Sequence, residues 1–204
     1  QGGVAVVLDP TDPSILYYGA NRLYRSANRA VSWTAISGDL TDGLNGQGGV
    51  TFGTITTIAS ARADQQVIYA GTDDANVWVT INGGGGWTRI DAALPERWIT
   101  RVAVDPTSAA IAYVTLSGFR DDAPLAHVFR TTDYGASWTA IGSNLPEAPV
   151  NDLVIDEDQP STLYVATDVG VFVSSDTGGS WAALGTGLPN GVVSDLELHL
   201  PTRI

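Results

Sequence analysis

Ser174-Ser175-Asp176-Thr177-Gly178-Gly179-Ser180-Trp181 is the stretch on which the reading of this chain turns. Its form is S-x-D-x-G-x-S-W, and the same frame occurs three more times. Thr131 to Trp138 keeps it with Asp133, Gly135 and Ser137 in place. Thr80 to Trp87 carries Asn82 in the Asp slot, Gly84 in the Gly slot and Gly86 before the Trp. Ser26 to Trp33 carries Asn28 for Asp and Ala30 for Gly. Four copies in one register define a repeat protein, whose units must stack to bury their apolar faces.

Each signature closes a longer unit. An apolar run comes first and often ends in an acidic turn, as in Val102-Ala103-Val104-Asp105-Pro106. A second run follows (Val67-Ile68-Tyr69-Ala70), then a third (Val171-Phe172-Val173), then the signature and a fourth run led by its Trp. The runs are short, rich in β-branched and aromatic residues, and bounded by Gly, Pro, Asn and Asp, which reads as strands and turns. Successive signature Trp residues stand 54, 51 and 43 apart. Four strands per unit of about 40–50 residues is the spacing of β-propeller blades. The fold expected is all-β: a propeller of four-stranded antiparallel blades at about 4–36, 54–90, 99–141 and 150–184, within one domain spanning 1–204. The run 192–199 reads as the first strand of a fifth blade, either starting it within a larger propeller or closing a small ring.

The signature residues have structural work to do. The Asp or Asn carbonyl oxygen can accept backbone N–H groups just after it and close the bend. The Gly supplies a backbone angle that other residues avoid. The Trp packs between sheets while its indole N–H finds an acceptor. Asn28, Trp33, Asn82, Trp87, Asp133, Gly135, Trp138, Asp176, Gly178 and Trp181 are therefore expected to hold the fold. The two copies that depart from the pattern predict looser turns.

The signature resembles the Asp-box, or bacterial neuraminidase repeat, and the resemblance runs from about Val4 to Trp181. The family includes sialidases, xyloglucanase-type glycoside hydrolases, sortilin-type receptors and photosystem II assembly factors. It implies a propeller outside the cytoplasm and says little about activity, because one architecture serves many functions. The segment that opens sialidases is missing from this sequence.

Composition narrows the field. The net charge is −12, and all ten basic residues are Arg. Such a surface repels phosphates, so nucleic acid is not an expected partner. No Cys occurs, and the two histidines, His127 and His199, share no ligand spacing; no metal and no cofactor is expected. Gly83-Gly84-Gly85-Gly86 has no Lys-Ser/Thr after it and falls inside a signature turn, so a phosphate cradle is disfavoured. No apolar run is long enough for a transmembrane helix.

Propeller ligands usually meet the face built from blade-to-blade loops and from loops joining second and third strands. Two such loops are long: 37–53 and 117–126. Long loops on a rigid scaffold are where function concentrates. Phe119, Arg120, Asp121 and Asp122 put an aromatic, a cation and two carboxylates in one of them, and Arg97 and Trp98 lie in the preceding blade-to-blade loop. These six are the candidate binding residues, for a protein partner or a glycan. With no recognisable catalytic set, a binding or scaffold module is expected, including a subunit or assembly factor of a membrane-associated complex. The alternative is part of a xyloglucanase-like glycoside hydrolase, with Asp73, Asp74, Asp121 and Asp122 as possible carboxylates.

Overall fold

A computed structural model of the chain describes residues 5–43, 53–118 and 127–198. They form four sheets of four strands. Blade 1 holds β1 (Val6–Leu8), β2 (Leu16–Gly19), β3 (Leu23–Ser26) and β4 (Thr34–Ala35). Blade 2 holds β5 (Ile55–Ser60), β6 (Ile68–Thr72), β7 (Val77–Thr80) and β8 (Thr88–Arg89). Blade 3 holds β9 (Ile99–Val104), β10 (Ala112–Leu116), β11 (Val128–Thr131) and β12 (Thr139–Ala140). Blade 4 holds β13 (Val150–Ile155), β14 (Leu163–Thr167), β15 (Gly170–Ser174) and β16 (Ala182–Ala183). Every pairing is antiparallel between sequence neighbours, and the first strands β1, β5, β9 and β13 lie against one another. This is propeller architecture, as the repeat predicts. Among the described residues there is no α-helix.

The core lies between blades. One apolar cluster joins blades 1 and 2 through Tyr17, Leu40, Ile55 and Ile58. A second joins blades 2 and 3 through Tyr69, Val79, Val102 and Phe129. The third joins blades 3 and 4 through Tyr113, Leu153, Val165 and Trp181. A single blade has two apolar faces and cannot bury both alone, which is why the motif must recur.

A β-bulge near the start of β5, β9 and β13 adds polar stitching. Thr56 donates to Ile99 O (2.6 Å), and Thr100 donates to Val150 O (2.6 Å). Asn151 Nδ2 donates to Val193 O (2.9 Å) in the same way. One residue further on, Thr57 Oγ1 accepts from Val102 N (3.0 Å) and Asp152 Oδ2 from Leu196 N (2.9 Å). β5 is thereby fixed to β9, β9 to β13, and β13 to the run 193–196.

The signature turns are alike in all four blades. The leading hydroxyl of Ser26, Thr80, Thr131 or Ser174 accepts the N–H four residues on. Oδ1 of Asn28, Asn82, Asp133 or Asp176 accepts the N–H four residues beyond itself, at 2.9 Å each time. The two residues after it have positive φ, from 57° and 66° at Arg29-Ala30 to 58° and 87° at Thr177-Gly178. Paired positive φ with the closing N–H···O bond is the pattern of a type I′ turn, whose twist suits the strands it joins. The turns with Asn are thus not looser, contrary to the sequence expectation. Asn offers the same Oδ1 acceptor. What differs is the second carboxylate oxygen: Asp133 and Asp176 also take Ser137 and Ser180 Oγ–H (2.6 and 2.7 Å). In the first turn Asn28 Nδ2 reverses that bond and donates to Ser32 Oγ.

The signature Gly and Trp work together across the blade joint. A Cβ on Gly84, Gly135 or Gly178 would collide with Ile36, Ile90 or Ile141 of the preceding blade. The same isoleucine offers its carbonyl to the Trp three residues later: Trp87, Trp138 and Trp181 Nε1 donate at 2.8, 2.7 and 2.7 Å. Trp33 departs from this. It is 39% exposed and rests edge-on against Tyr18, ring centroids 6.0 Å apart.

The run 192–199 also differs from expectation. Its described part, to residue 198, forms no strand ladder, because no second strand lies beside it to pair with. His199 lies outside the described residues. Finally, Asp156 is buried; its Oδ1 caps the first turn of blade 4 by accepting Asp158 and Gln159 N–H (3.0 and 3.2 Å). Asp9 and Asp105 cap the equivalent turns of blades 1 and 3.

Candidate functional site

The face opposite the signature turns is built from the loops entering β5, β9 and β13 and from those joining second to third strands. Of the six candidate residues, Phe119, Arg120, Asp121 and Asp122 lie outside the described residues. Arg97 and Trp98 sit immediately before β9, and the sheet explains their position. Ser117 N donates to Trp98 O (3.0 Å), which ties the end of β10 to the approach of β9. Arg97 is buried, and Trp98 is half-buried. Trp98 Nε1 is shielded from solvent and has no hydrogen-bond partner among the described residues.

His127 stands on the other side of this region, just before β11. Its Nδ1 lies 3.2 Å from Leu116 O. Burial holds the imidazole below its usual range; the Leu116 carbonyl opposes that shift, and the Arg97 charge adds to it. His127 is thus half-buried and favours the neutral form, not a freely solvated residue. Nothing local in the sequence signals this, because the Val128-Phe129-Arg130-Thr131 run after it marks only a strand edge.

Three described carboxylates of this face, Asp73, Asp74 and Asp168, accept hydrogen bonds from the protein. Asp74 is buried; it accepts the Thr72 hydroxyl and Asn76 Nδ2 on one oxygen and Asp42 N (2.7 Å) on the other. It therefore ties the loop after β4 to blade 2. Asp73 Oδ1 accepts Thr54 N (2.7 Å). Burial raises its pKa, the Thr54 N–H opposes this, and the neighbouring Asp74 charge adds to it. Asp168 accepts from Asn151 Nδ2 (2.9 Å). Toward the axis Arg101 Nε pairs with Asp152 Oδ1 (3.1 Å). Burial still raises the Asp152 pKa against that arginine, and a hydrogen bond with Asp195 acts in the same direction. Sequence reasoning missed this trio. Its members fall at matching positions of successive first strands, a signal visible only once the bulge register is known. Among the described residues no group of His, Cys, Asp or Glu could hold a metal ion.

No family model matches the chain. Two curated proteins are similar to it: a xyloglucanase of Paenibacillus sp (26% identical over 189 residues) and a xyloglucanase of Hypocrea jecorina (26% over 192 residues). Each match takes in 81% of this chain but 18% and 22% of the relative, so the chain spans about a fifth of the length of these proteins. Among solved structures, an ancestral GH74 enzyme superposes with a TM-score of 0.69 at 20% identity, covering 91% of this chain and 24% of that one. The Swd1 β-propeller domain of Myceliophteria thermophila gives 0.67 at 12%, covering 99% and 60%. YCF48 from Cyanidioschyzon merolae gives 0.61 at 16%, covering 89% and 59%. At these identities the structural likeness is one of fold: the chain is β-propeller material, and it matches only part of each neighbour. No helix of the described residues is long and apolar enough to cross a membrane.

Proposed function

We propose that these four blades are Asp-box blades of a glycoside-hydrolase-like protein and act as a non-catalytic, glycan-binding part of it, outside the cytoplasm. The observation that carries this reading is the state of the loop-face carboxylates. Glycoside hydrolysis needs two carboxyl groups about 5–10 Å apart and free to meet the sugar. Asp74 and Asp168 are instead spent on holding loops and strands. The similarity to xyloglucanases supports a β-glucan as the ligand class. Arg97 and Trp98 would support the binding loop from below, with Phe119, Arg120, Asp121 and Asp122 in contact with the ligand.

A second reading, a fragment of the hydrolase machinery itself, is favoured by Asp73. Its half-buried carboxyl has a raised pKa, as a general acid requires. Affinity electrophoresis in xyloglucan gels, run beside a reducing-sugar assay, separates the two. The binding reading expects retarded migration with no sugar released, and loss of the retardation in Asp121→Ala/Asp122→Ala. Sugar release that the double change abolishes would establish the hydrolase reading. Migration unaffected by any glycan would point to a protein partner instead.

A further inference from the structure

The three joints between blades share one set of contacts, and blade 4 presents the same set with no glycine or indole of the described residues over it. Leu184 N donates to Val171 O, as Ile36, Ile90 and Ile141 N donate to Leu23, Val77 and Val128 O. Leu184 therefore stands where those isoleucines stand. At each internal joint the next blade covers that residue with a glycine and hydrogen-bonds its carbonyl with an indole. Leu188, at the position of Leu94 and Leu145, is 58% exposed, whereas those two pack against the inter-blade cores.

The innermost part of the vacant seat is already filled by the chain itself. Val193 O takes the Asn151 side chain as Ile99 and Val150 O take Thr56 and Thr100. Leu196 N reaches Asp152 as Val102 N reaches Thr57. Val193, Leu196 and Leu198 are half-buried where Val150, Leu153 and Ile155 are buried. Residues 193–198 thus lie in the register of a first strand, with no ladder partner among the described residues.

We propose that the outer face of blade 4 is a seat for one further blade of the same signature, which uses residues 193–198 as its own first strand and sets a glycine and an indole over Leu184. A second copy of this chain does not fit the seat. Its β1 would need the place that Val193 to Leu196 hold. Its first signature also carries Ala30 where each internal joint has a glycine with no room for a Cβ. The proposal is independent of what the loop face binds.

The test appends a second copy of Thr162–Leu184 directly after Ile204, which keeps the spacing of blade 4. The appended segment is expected to fold onto the seat. The melting temperature should rise by several degrees, and hydrogen exchange at the Val193 and Leu196 amides should slow. Replacing the copied Gly178 by Val, a change confined to the appended segment, should abolish both gains while the original four blades melt as before. An appended segment that proteases remove with no change in melting temperature would overturn the proposal. So would a head-to-tail dimer of the 204-residue chain with Trp33 buried at the joint, read by light scattering and indole fluorescence.

Discussion

Ala30 and Gly178 do the same job with unequal strain. Both have positive φ, 66° and 87°, in the third position of a signature turn. A side chain there costs about 1–2 kcal/mol from left-handed geometry alone. At Gly178 a methyl group would also strike Ile141, whereas Ala30 is exposed. Gly178→Ala should therefore lower stability by roughly 2–4 kcal/mol, the sum of backbone strain and overpacking. Ala30→Gly should raise it by about 0.5–1 kcal/mol, after the entropy of the more flexible unfolded chain is set against the relieved strain. Urea titration checks both, through a shifted midpoint at unchanged slope. The acids of the turns carry a pH signature. Hydrogen bonds from Ser174 and from Ser180 hold the Asp176 carboxyl at about 2, below its ordinary 3.8. A folded pKa below the unfolded one gives stability that is complete above pH 4 and lost as pH falls toward 2. Asp133 is lowered too, first by the Ser137 hydroxyl. Asp133→Asn/Asp176→Asn should accordingly flatten the acid limb of a stability profile between pH 4 and pH 2 while leaving the fold intact, since Asn28 and Asn82 already close their turns with an amide.

At the level of strands and turns, each joint depends on one indole, and the joints after blades 2 and 3 also on one bulge side chain. Trp138→Phe keeps most of the apolar area but removes the donor to Ile90 O, and should cost about 1–2 kcal/mol. Trp33→Phe should be close to neutral, because no carbonyl among the described residues accepts its N–H. Thr100→Val leaves Val150 O without its cross-blade donor and should likewise cost about 1–2 kcal/mol. Thermal melts of the three variants rank these effects. Strand order and turn placement were legible in the sequence because both follow from local chemistry: alternation, and a signature whose every residue closes one bend. The bulges were not legible. Thr56 and Thr100 are alike but Asn151 is not, and their common role appears only when the neighbouring chain supplies the carbonyl. The exposed position of Trp33 was equally hidden, since its signature reads like the others and the difference lies in what covers it.

Across the whole molecule, stability is carried by joints rather than by a central core, and the loop face is where sequence and structure agree least. Arg97 and Trp98 stand out in the sequence by type and place in the chain, but the burial of Arg97 depends on packing that no linear pattern encodes. Asp73 and Asp74 look interchangeable in sequence; one is a buried tie and the other a half-buried carboxyl with raised pKa, because only Asp74 faces the loop after β4. The account as a whole rests on equivalent indoles locked into successive joints. Hydrogen exchange of the indole N–H groups, followed by NMR and assigned with single Trp→Phe variants, tests this directly. Trp87, Trp138 and Trp181 should exchange slowly, each held by an isoleucine carbonyl of the blade before it, and Trp33 should exchange rapidly. Exchange at Trp87, Trp138 and Trp181 as fast as at Trp33 would contradict the stacked-blade arrangement.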